Sequence, residues 1–222
     1  MGNGNVMINI VYEDNHLLVV EKPVNIPVQK DKSNDMDLLT LLKLYLKKKY
    51  NKPGAVYLGL VHRLDRPVGG IMVFAKTSKA ASRLSSQIKE HIFRKKYLAV
   101  VCGKVDQKKV FADKLIKDHK KNIVKVSSNG KYSELSYNLL GYKEGLSLVE
   151  IDLVTGRSHQ IRVQFSSRGF PLYGDQKYNK NAIKDQIALF ANKIEFIHPV
   201  SKKQLIFELD RPDRYPFNVF NL

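Results

Sequence analysis

The stretch GLVHRLDRPVGG places a histidine, an arginine and an aspartate within a few residues of one another. The aspartate, Asp65, lies between Arg63 and Arg66, and nearby cations favour an ionised carboxylate. A carboxylate that stays charged at neutral pH is a poor proton donor, but it can act as a nucleophile or as an electrostatic anchor. Taken alone, the segment is explained equally well as a turn in which arginines neutralise a surface aspartate.

A second polar group lies in LVTGRSHQIRVQFSSRGFPLYGDQKY. Ile161 and Phe165 are four residues apart, which is typical of one buried face of a helix. Arg162 follows Ile161 and would lie at the edge of the core, where its planar guanidinium can bind a carboxylate through two hydrogen bonds. Arg157 and Arg168 are suited to phosphate contacts. By itself, the segment is also consistent with an ordinary basic amphipathic helix.

Other common kinds of site are not indicated by the sequence. It contains neither a G-x-x-x-x-G-K-[S/T] loop nor a G-x-G-x-x-G loop, so no nucleotide-hydrolysing or dinucleotide-binding site is expected. One cysteine and six scattered histidines form no zinc-type cluster. Ser158 and His159 are adjacent, and adjacent helical side chains do not face each other, so they are not a nucleophile–base pair.

The elements that must position these residues are mostly strands. Runs of β-branched and apolar residues between turn signals predict strands. They lie at Ile8–Tyr12, Leu17–Glu21, Ile71–Ala75, Lys95–Val105, Ile123–Val126, Ser133–Leu140, Leu146–Val154, Ile187–Ile197 and Leu205–Leu209. The pair on either side of GYKEG is predicted to form a hairpin.

Three helices are predicted between the strands. The first begins at a cap formed by Asn34 or Asp35 and ends near Lys48, the second is capped by Ser78, and the third contains Ile161. We expect Thr155 or Ser158 to cap the third helix. No repeat or low-complexity linker is visible. The prediction is therefore a short N-terminal extension, residues 1–9, followed by a single α+β domain, residues 10–222.

Composition points to a polyanionic partner. Lysine plus arginine number 38 and aspartate plus glutamate 21, which gives a formal charge of +17. Such charge favours binding to nucleic acid or to an anionic membrane surface, although a lysine-rich proteome would raise the charge of any protein. Cys102 is the only cysteine, so a reducing compartment is expected. With no signal peptide and no long apolar run, the protein is predicted to be soluble and cytoplasmic.

Together the segments resemble the RluA-type family of RNA pseudouridine synthases. HRLD with a glycine-ended turn resembles the catalytic motif of that family, and TGRSHQIR with the later GD and Tyr178 resembles another of its signatures. FRKKYLAVVCG and IVYEDNHLLVVEKPVNIPVQ match two further segments, and the order from Ile10 to Leu209 is that of the family. The resemblance implies the pseudouridine synthase catalytic fold, with a central, mostly antiparallel or mixed sheet flanked by helices and loops.

The resemblance also implies roles for individual residues. Asp65 would be the nucleophilic or base-handling aspartate at the target uridine, and Arg162 would pair with Asp65 and keep it ionised. Tyr97 would stack on the uracil ring and act as the general base at C5; without the motif, it would be read as a core tyrosine of a strand. We expect RNA contacts from His62, Arg63, Arg66, Arg157, His159 and Arg168, and a base pocket formed by Leu64 and Ile161.

The expected activity is the isomerisation of specific uridines to pseudouridine in ribosomal or transfer RNA. The enzyme would flip the base out of a structured stem-loop at a cost of a few kcal/mol, which phosphate contacts would offset. No atoms are lost and no redox step occurs, so neither cofactor nor metal is expected. A monomer is predicted. The alternatives are a non-catalytic RNA-binding or assembly factor on the same scaffold and a basic membrane-surface protein.

The sequence departs from the family pattern in several places. Val68-Gly69-Gly70 stands where Thr-Ser-Gly is usual, so hydrogen bonds from two hydroxyls are lost. Asn25 and Asn179 replace frequent glycines, and asparagine tolerates the left-handed backbone conformation that such turns require. Many relatives carry an N-terminal RNA-binding domain of the S4 type, and the residues before Ile10 are too few to form one. A stand-alone catalytic domain is therefore expected.

Overall fold

The computed structural model describes residues 8–33 and 35–221. Asn34, and residues 1–7 of the predicted extension, lie outside that range. The chain divides into two compact units, the first comprising Met1–Phe93 with Glu195–Phe207 and the second Arg94–Ile194 with Glu208–Leu222. The described residues form eleven strands and three α-helices, which confirms the α+β class. Within them, no helix combines the length and apolar character needed to cross a membrane.

The first unit is built on an antiparallel sheet. Its strands are β1 (Asn9–Glu13), β2 (Leu17–Lys22), β3 (Gly59–Leu60) and β4 (Gly69–Ala75). The β2 strand pairs with β1 on one side and with β4 on the other, and β3 pairs with β4. All seven residues of β4 are buried, as expected for the apolar run that follows the glycine pair.

Two helices complete the first unit, α1 (Leu38–Lys49) and α2 (Ser78–Lys89). The predicted helices are confirmed, but their predicted caps are wrong by one or more residues. The carboxylate of Asp37 accepts a hydrogen bond from the Thr40 amide at 3.0 Å and caps α1, whereas Asp35 contacts Arg66. The hydroxyl of Thr77 caps α2, and Ser78 is its first helical residue. In both helices, the capping residue directly precedes the first helical residue. Its backbone is extended, and its side-chain oxygen accepts a hydrogen bond from an amide of the first turn.

The second unit contains a longer sheet. Its strands are β5 (Arg94–Cys102), β6 (Lys108–Asp118), β7 (Ile123–Val126), β8 (Lys131–Lys143), β9 (Leu146–Leu153) and β10 (Leu189–Ile197). Their order in the sheet is β10-β5-β9-β8-β6-β7. The predicted hairpin is confirmed as β8 and β9, whereas β6 was not predicted. The last strand, β11 (Gln204–Glu208), belongs to the first unit up to Phe207, as do the last three residues of β10.

Helix α3 (Gln160–Ser166) packs on the sheet of the second unit. The centre of the Phe165 ring lies 5.0 Å from the centre of the Phe111 ring on β6 and 5.2 Å from the centre of the Tyr137 ring on β8. The helix begins after His159, which adopts the left-handed conformation with φ 51° and makes no side-chain cap. The predicted caps, Thr155 and Ser158, are therefore wrong. The Thr155 hydroxyl donates instead to the Gln160 side chain, at 2.8 Å.

Candidate active site

Asp65 lies in a tight turn between β3 and β4. The amide of Val68 donates to the carbonyl of Asp65 at 2.9 Å and closes the turn around Pro67. The Asp65 side chain is half-buried. Gly70 has φ 126°, which favours glycine, and confirms the conformational freedom expected of the glycine pair. The turn therefore holds a carboxylate at a fixed place on rigid backbone.

The end of β2 supports this turn. A Cβ added to Gly69 would lie 3.2 Å from the Lys22 carbonyl, so the missing side chain permits close backbone approach. The Lys22 side chain is only 1% exposed, and its Nζ donates to the carbonyls of Pro23 at 2.8 Å and Arg66 at 3.0 Å. Burial lowers the pKa of Lys22 to about 7, although the charge of Asp65 opposes that shift. Sequence reasoning missed Lys22; a lysine ending a buried apolar run was the available signal.

His62 and Leu64 anchor the segment before the aspartate. The Nε2 atom of His62 accepts a hydrogen bond from the Val73 amide at 3.1 Å, and its ring lies 5.4 Å from that of Phe93. Leu64 is buried. The His62 ring thus makes contacts that fix the loop to β4, and its predicted contact with RNA stays a prediction.

The two arginines beside Asp65 differ in their surroundings. Arg63 is exposed. The guanidinium of Arg66 donates to the Ser33 hydroxyl at 2.8 Å and to the Asp35 carboxylate, and it lies 3.6 Å from Asp31. The hydrogen bond from Arg66 lowers the pKa of Asp35. The charge of Arg66 is therefore shared with two carboxylates of the segment before α1.

Tyr97 belongs to the second unit, on β5. It is 6% exposed and lies opposite Ile151 of β9. Two residues earlier on β5, Lys95 extends to the loop before α3, where a Cβ on Gly156 would lie 3.1 Å from the lysine Nζ. Burial lowers the pKa of Lys95. The absence of a side chain at Gly156 leaves room for that ammonium group, a role that sequence reasoning did not assign.

Arg162 is held by a carboxylate, as its position predicted. Its Nε and Nη2 donate to the two oxygens of Asp175 at 2.8 and 2.6 Å, and its guanidinium lies 5.2 Å from the centre of the Tyr178 ring. Asp175 is 1% exposed and also accepts a hydrogen bond from the Lys177 amide at 3.0 Å. Sequence reasoning did not identify Asp175, although it is the aspartate of the quoted GD. Asp65 belongs to the first unit, and its predicted pairing with Arg162 stays a prediction.

The loop before α3 is fixed by Gln160, a further residue that sequence reasoning missed. Its Oε1 accepts hydrogen bonds from the Thr155 hydroxyl at 2.8 Å and the Arg157 amide at 3.0 Å. Its Nε2 donates to the Glu134 carbonyl at 3.0 Å. Ile161, the next residue, is buried, at 4% exposure. The side chain of the first residue of α3 thus fixes the loop that precedes the helix.

Tyr178 connects this loop with β7. Its hydroxyl lies 2.6 Å from Nδ1 of His159 and accepts a hydrogen bond from the Val124 amide at 2.9 Å. The position of His159 is therefore set by the same side chain that stacks on Arg162.

The remaining two arginines also differ. Arg157 is exposed, and its Nε donates to the Tyr132 carbonyl at 3.0 Å. Both terminal nitrogens of Arg168 bind the carboxylate of Asp113, at 2.9 and 3.1 Å, and the guanidinium lies 4.1 Å from the centre of the Phe111 ring. Arg168 thus fastens the turn after α3 to β6, and its predicted phosphate contact stays a prediction.

Comparison with known proteins decides the family. Residues 16–167 match the family described as RNA pseudouridylate synthase. The chain belongs to the RNA pseudouridylate synthase family. The matched range includes Asp65, Tyr97 and Arg162. The predicted resemblance to RluA-type enzymes is confirmed.

Individual pseudouridine synthases support the same assignment. The chain is 36% identical over 205 residues to ribosomal large subunit pseudouridine synthase C of Vibrio cholerae, covering 88% of the chain and 63% of that protein. It is 33% identical over 222 residues to ribosomal large subunit pseudouridine synthase D of Zymomonas mobilis, covering 93% and 70%. The chain thus spans about two thirds of the length of these relatives.

Solved structures confirm the predicted fold. Human RNA pseudouridylate synthase domain containing 4 superposes with a TM-score of 0.77 at 22% identity, covering 92% of this chain and 89% of that one. Human RNA pseudouridylate synthase domain containing 1 gives a TM-score of 0.75 at 23% identity, covering 96% and 87%. The α+β pseudouridine synthase fold is therefore the fold of this chain.

Proposed function

We propose that this protein converts uridine to pseudouridine in RNA. The observation that carries the proposal is the family match over residues 16–167, a range that includes the aspartate of HRLD. The closed turn around Pro67 supports it, because a catalytic group must be held in a fixed geometry.

Asp65 is the proposed catalytic carboxylate. The N1–C1′ bond of the target uridine breaks, the uracil turns, and a bond forms between C5 and C1′. The proton on C5 is then removed, and N1 gains a proton, so atoms and electrons balance without an oxidant or reductant. Tyr97 is the proposed base that takes the C5 proton, and positioned bases of this kind contribute about 10²–10⁴ in rate.

Arg162 is the proposed positioning residue, and it keeps the catalytic carboxylate ionised. Its two hydrogen bonds to Asp175 support this role, because they fix the guanidinium plane. Leu64 and Ile161, both buried, are the proposed apolar walls of the base pocket.

Binding of RNA involves the exposed basic residues. Arg63 and Arg157 are the strongest candidates among the six predicted contacts, because their side chains are exposed. Arg66 and Arg168 already bind carboxylates, and His62 and His159 have hydrogen-bond partners within their own units. Contacts with phosphate would offset the cost of extruding the target base, which is a few kcal/mol.

The proposed substrate is a stem-loop of ribosomal or transfer RNA, modified by a monomer in the cytoplasm. The names of the relatives in V. cholerae and Z. mobilis, both ribosomal large subunit synthases, favour ribosomal RNA. No cofactor or metal takes part in the proposed reaction.

The experiment is to incubate the purified protein with unmodified, in vitro transcribed ribosomal RNA and transfer RNA and to map pseudouridine at single-nucleotide resolution. We expect one or a few modified positions with the natural protein and none with Asp65→Asn, which keeps the shape of the side chain. Full activity of Asp65→Asn would refute its role. Tight RNA binding without pseudouridine on any RNA would instead indicate a non-catalytic RNA-binding or assembly factor.

A further inference from the structure

Residues 108–131, comprising β6, β7, the turns that follow each strand and the first residue of β8, form a lysine-rich segment that we call the lysine arm. It contains eight lysines and two aspartates, a formal charge of +6. None of these lysines has a role in the proposed reaction. Because these charges are concentrated in one segment of the chain, they create a locally positive electrostatic potential.

The two aspartates of the arm do not neutralise its lysines. Asp113 binds both terminal nitrogens of Arg168. The carboxylate of Asp118 accepts hydrogen bonds from the backbone amides of Lys120 and Lys121, at 2.9 and 3.0 Å. In the part of the chain that the structure describes, Lys117, Lys120 and Lys121 form no ion pair. Their ammonium groups therefore remain available to an anionic partner.

The arm is a rigid support for these charges. Leu115 and Val124 are buried and pack with Val163 of α3. The ring of Phe111 lies 5.0 Å from that of Phe165. The lysines thus project from backbone that is held by packed side chains, which reduces the conformational entropy that is lost when they bind.

The arm also adjoins the loop before α3. Lys117 Nζ lies 3.5 Å from the Ser158 hydroxyl, between the two residues for which RNA contacts are predicted, Arg157 and His159. At the turn after β6, Lys177 Nζ donates to the Asn122 carbonyl at 2.9 Å. Basic residues of the arm therefore lie next to the loop for which RNA contacts are predicted.

We propose that the lysine arm binds the phosphate backbone of the RNA that flanks the target uridine. The proposal rests on the proposed function, because it makes the arm part of the binding site of the same substrate. Lysine is a compact, mobile point charge, and it suits phosphate contacts that carry no sequence information. The arm would then set affinity and register, while the selection of the uridine remains with the groups that surround the base.

The test is the triple variant Lys117→Gln, Lys120→Gln, Lys121→Gln. Its matched control is Lys47→Gln, Lys48→Gln, Lys203→Gln, which removes the same charge from exposed residues of the first unit. On in vitro transcribed ribosomal RNA, we expect the arm variant to raise KM about tenfold with kcat unchanged. Binding of a fluorescein-labelled oligouridine should lose about 2 in the slope of log K against log salt, since each phosphate contact in a single strand contributes about 0.7. The control should change neither quantity more than twofold.

Several results would overturn the proposal. An unchanged KM and salt slope in the arm variant, or equal changes in both variants, would show that position on the arm has no importance. Loss of binding to phosphatidylglycerol vesicles with unchanged RNA binding would indicate a membrane surface. As a control, the thermal unfolding midpoint of each variant must equal that of the natural protein, which excludes misfolding as the cause of weaker binding. If neither the natural protein nor any variant forms pseudouridine, yet the arm variant alone loses oligouridine binding, the proposed function fails, and the arm binds RNA phosphates without serving a target uridine.

Discussion

Arg162 and Asp175 form a buried pair joined by two hydrogen bonds, with the carboxylate side chain fully enclosed and the guanidinium side chain 7% exposed. Removal of one partner from such a pair leaves an uncompensated buried charge, which costs about 3–5 kcal/mol. We expect Asp175→Asn to lower the free energy of unfolding by about that amount, measured by urea denaturation. A loss below about 1 kcal/mol would show that the pair is not needed for stability.

Lys22 gives a pH dependence of stability. Its pKa is lowered from 10.5 to about 7 in the folded protein, so between these values the unfolded chain binds more protons. Stability must therefore rise with pH in this window, by up to about 1.4 kcal/mol for each pH unit. Between about pH 7 and pH 9, we expect the free energy of unfolding of the natural protein to increase relative to that of Lys22→Met. Parallel curves for the two proteins would contradict the assignment.

Glu13 gives a pH dependence of the same sign in the acid range. Burial alone would raise its pKa, but hydrogen bonds from Lys49, Lys76, Tyr50 and Tyr45 lower it from 4.5 to about 2. Its contribution is therefore present above pH 4.5 and is lost as the pH falls toward 2. We expect Glu13→Gln to make the acid unfolding curve shallower in that window. The same curve for the natural protein and the variant would refute this prediction.

Gly130 tests the backbone packing of the lysine arm. A Cβ at this position would lie 2.5 Å from the backbone nitrogen of Leu115, closer than atoms can approach. Overpacking of this kind typically costs about 1–3 kcal/mol, and we expect Gly130→Ala to fall in that range by chemical denaturation. Gly54→Ala is the matched control, because nothing lies within 4 Å of its Cβ position. Equal stability of the two variants would be inconsistent with the close approach.

Tyr97 separates chemistry from binding. Tyr97→Phe keeps the aromatic ring that would stack on uracil but removes the hydroxyl proposed to take the C5 proton. We expect kcat to fall about 10²-fold or more, while the affinity for RNA stays within twofold. Tyr132→Phe, which alters an exposed tyrosine of the same unit, should leave kcat unchanged. A kcat for Tyr97→Phe within threefold of the natural value would exclude the hydroxyl as the base.

Local sequence patterns predicted most of the helices and strands but not all their ends. Ile161 and Phe165 located α3, and Asn25 adopts the left-handed conformation expected of it, with φ 63°. The long strand β6 was missed because only Phe111 and Leu115 are buried along it, while its other face mixes Lys108 and Lys114 with exposed apolar residues. A strand with so few buried residues resembles a polar loop when only periodicity is considered.

The partners of the candidate site residues depended on tertiary structure. Arg162 was correctly expected to bind a carboxylate, but nothing in the spacing distinguished Asp175 from other acids. Gln160 and Lys22 form hydrogen bonds with backbone groups that only folding brings together. The periodic pattern of apolar residues in the sequence therefore does not reveal either residue. The sequence therefore indicated which chemical type of group a site residue would bind. Which residue supplies that group became clear only from the fold.

The phenol of Tyr178 meets three groups at once: the Val124 amide, the His159 imidazole and the Arg162 guanidinium. A fluorine atom introduced on that ring would consequently sense a shift in any of the three. One nuclear magnetic resonance line would then serve as a common reporter for substrate docking on β7 and for rearrangement of the loop before α3.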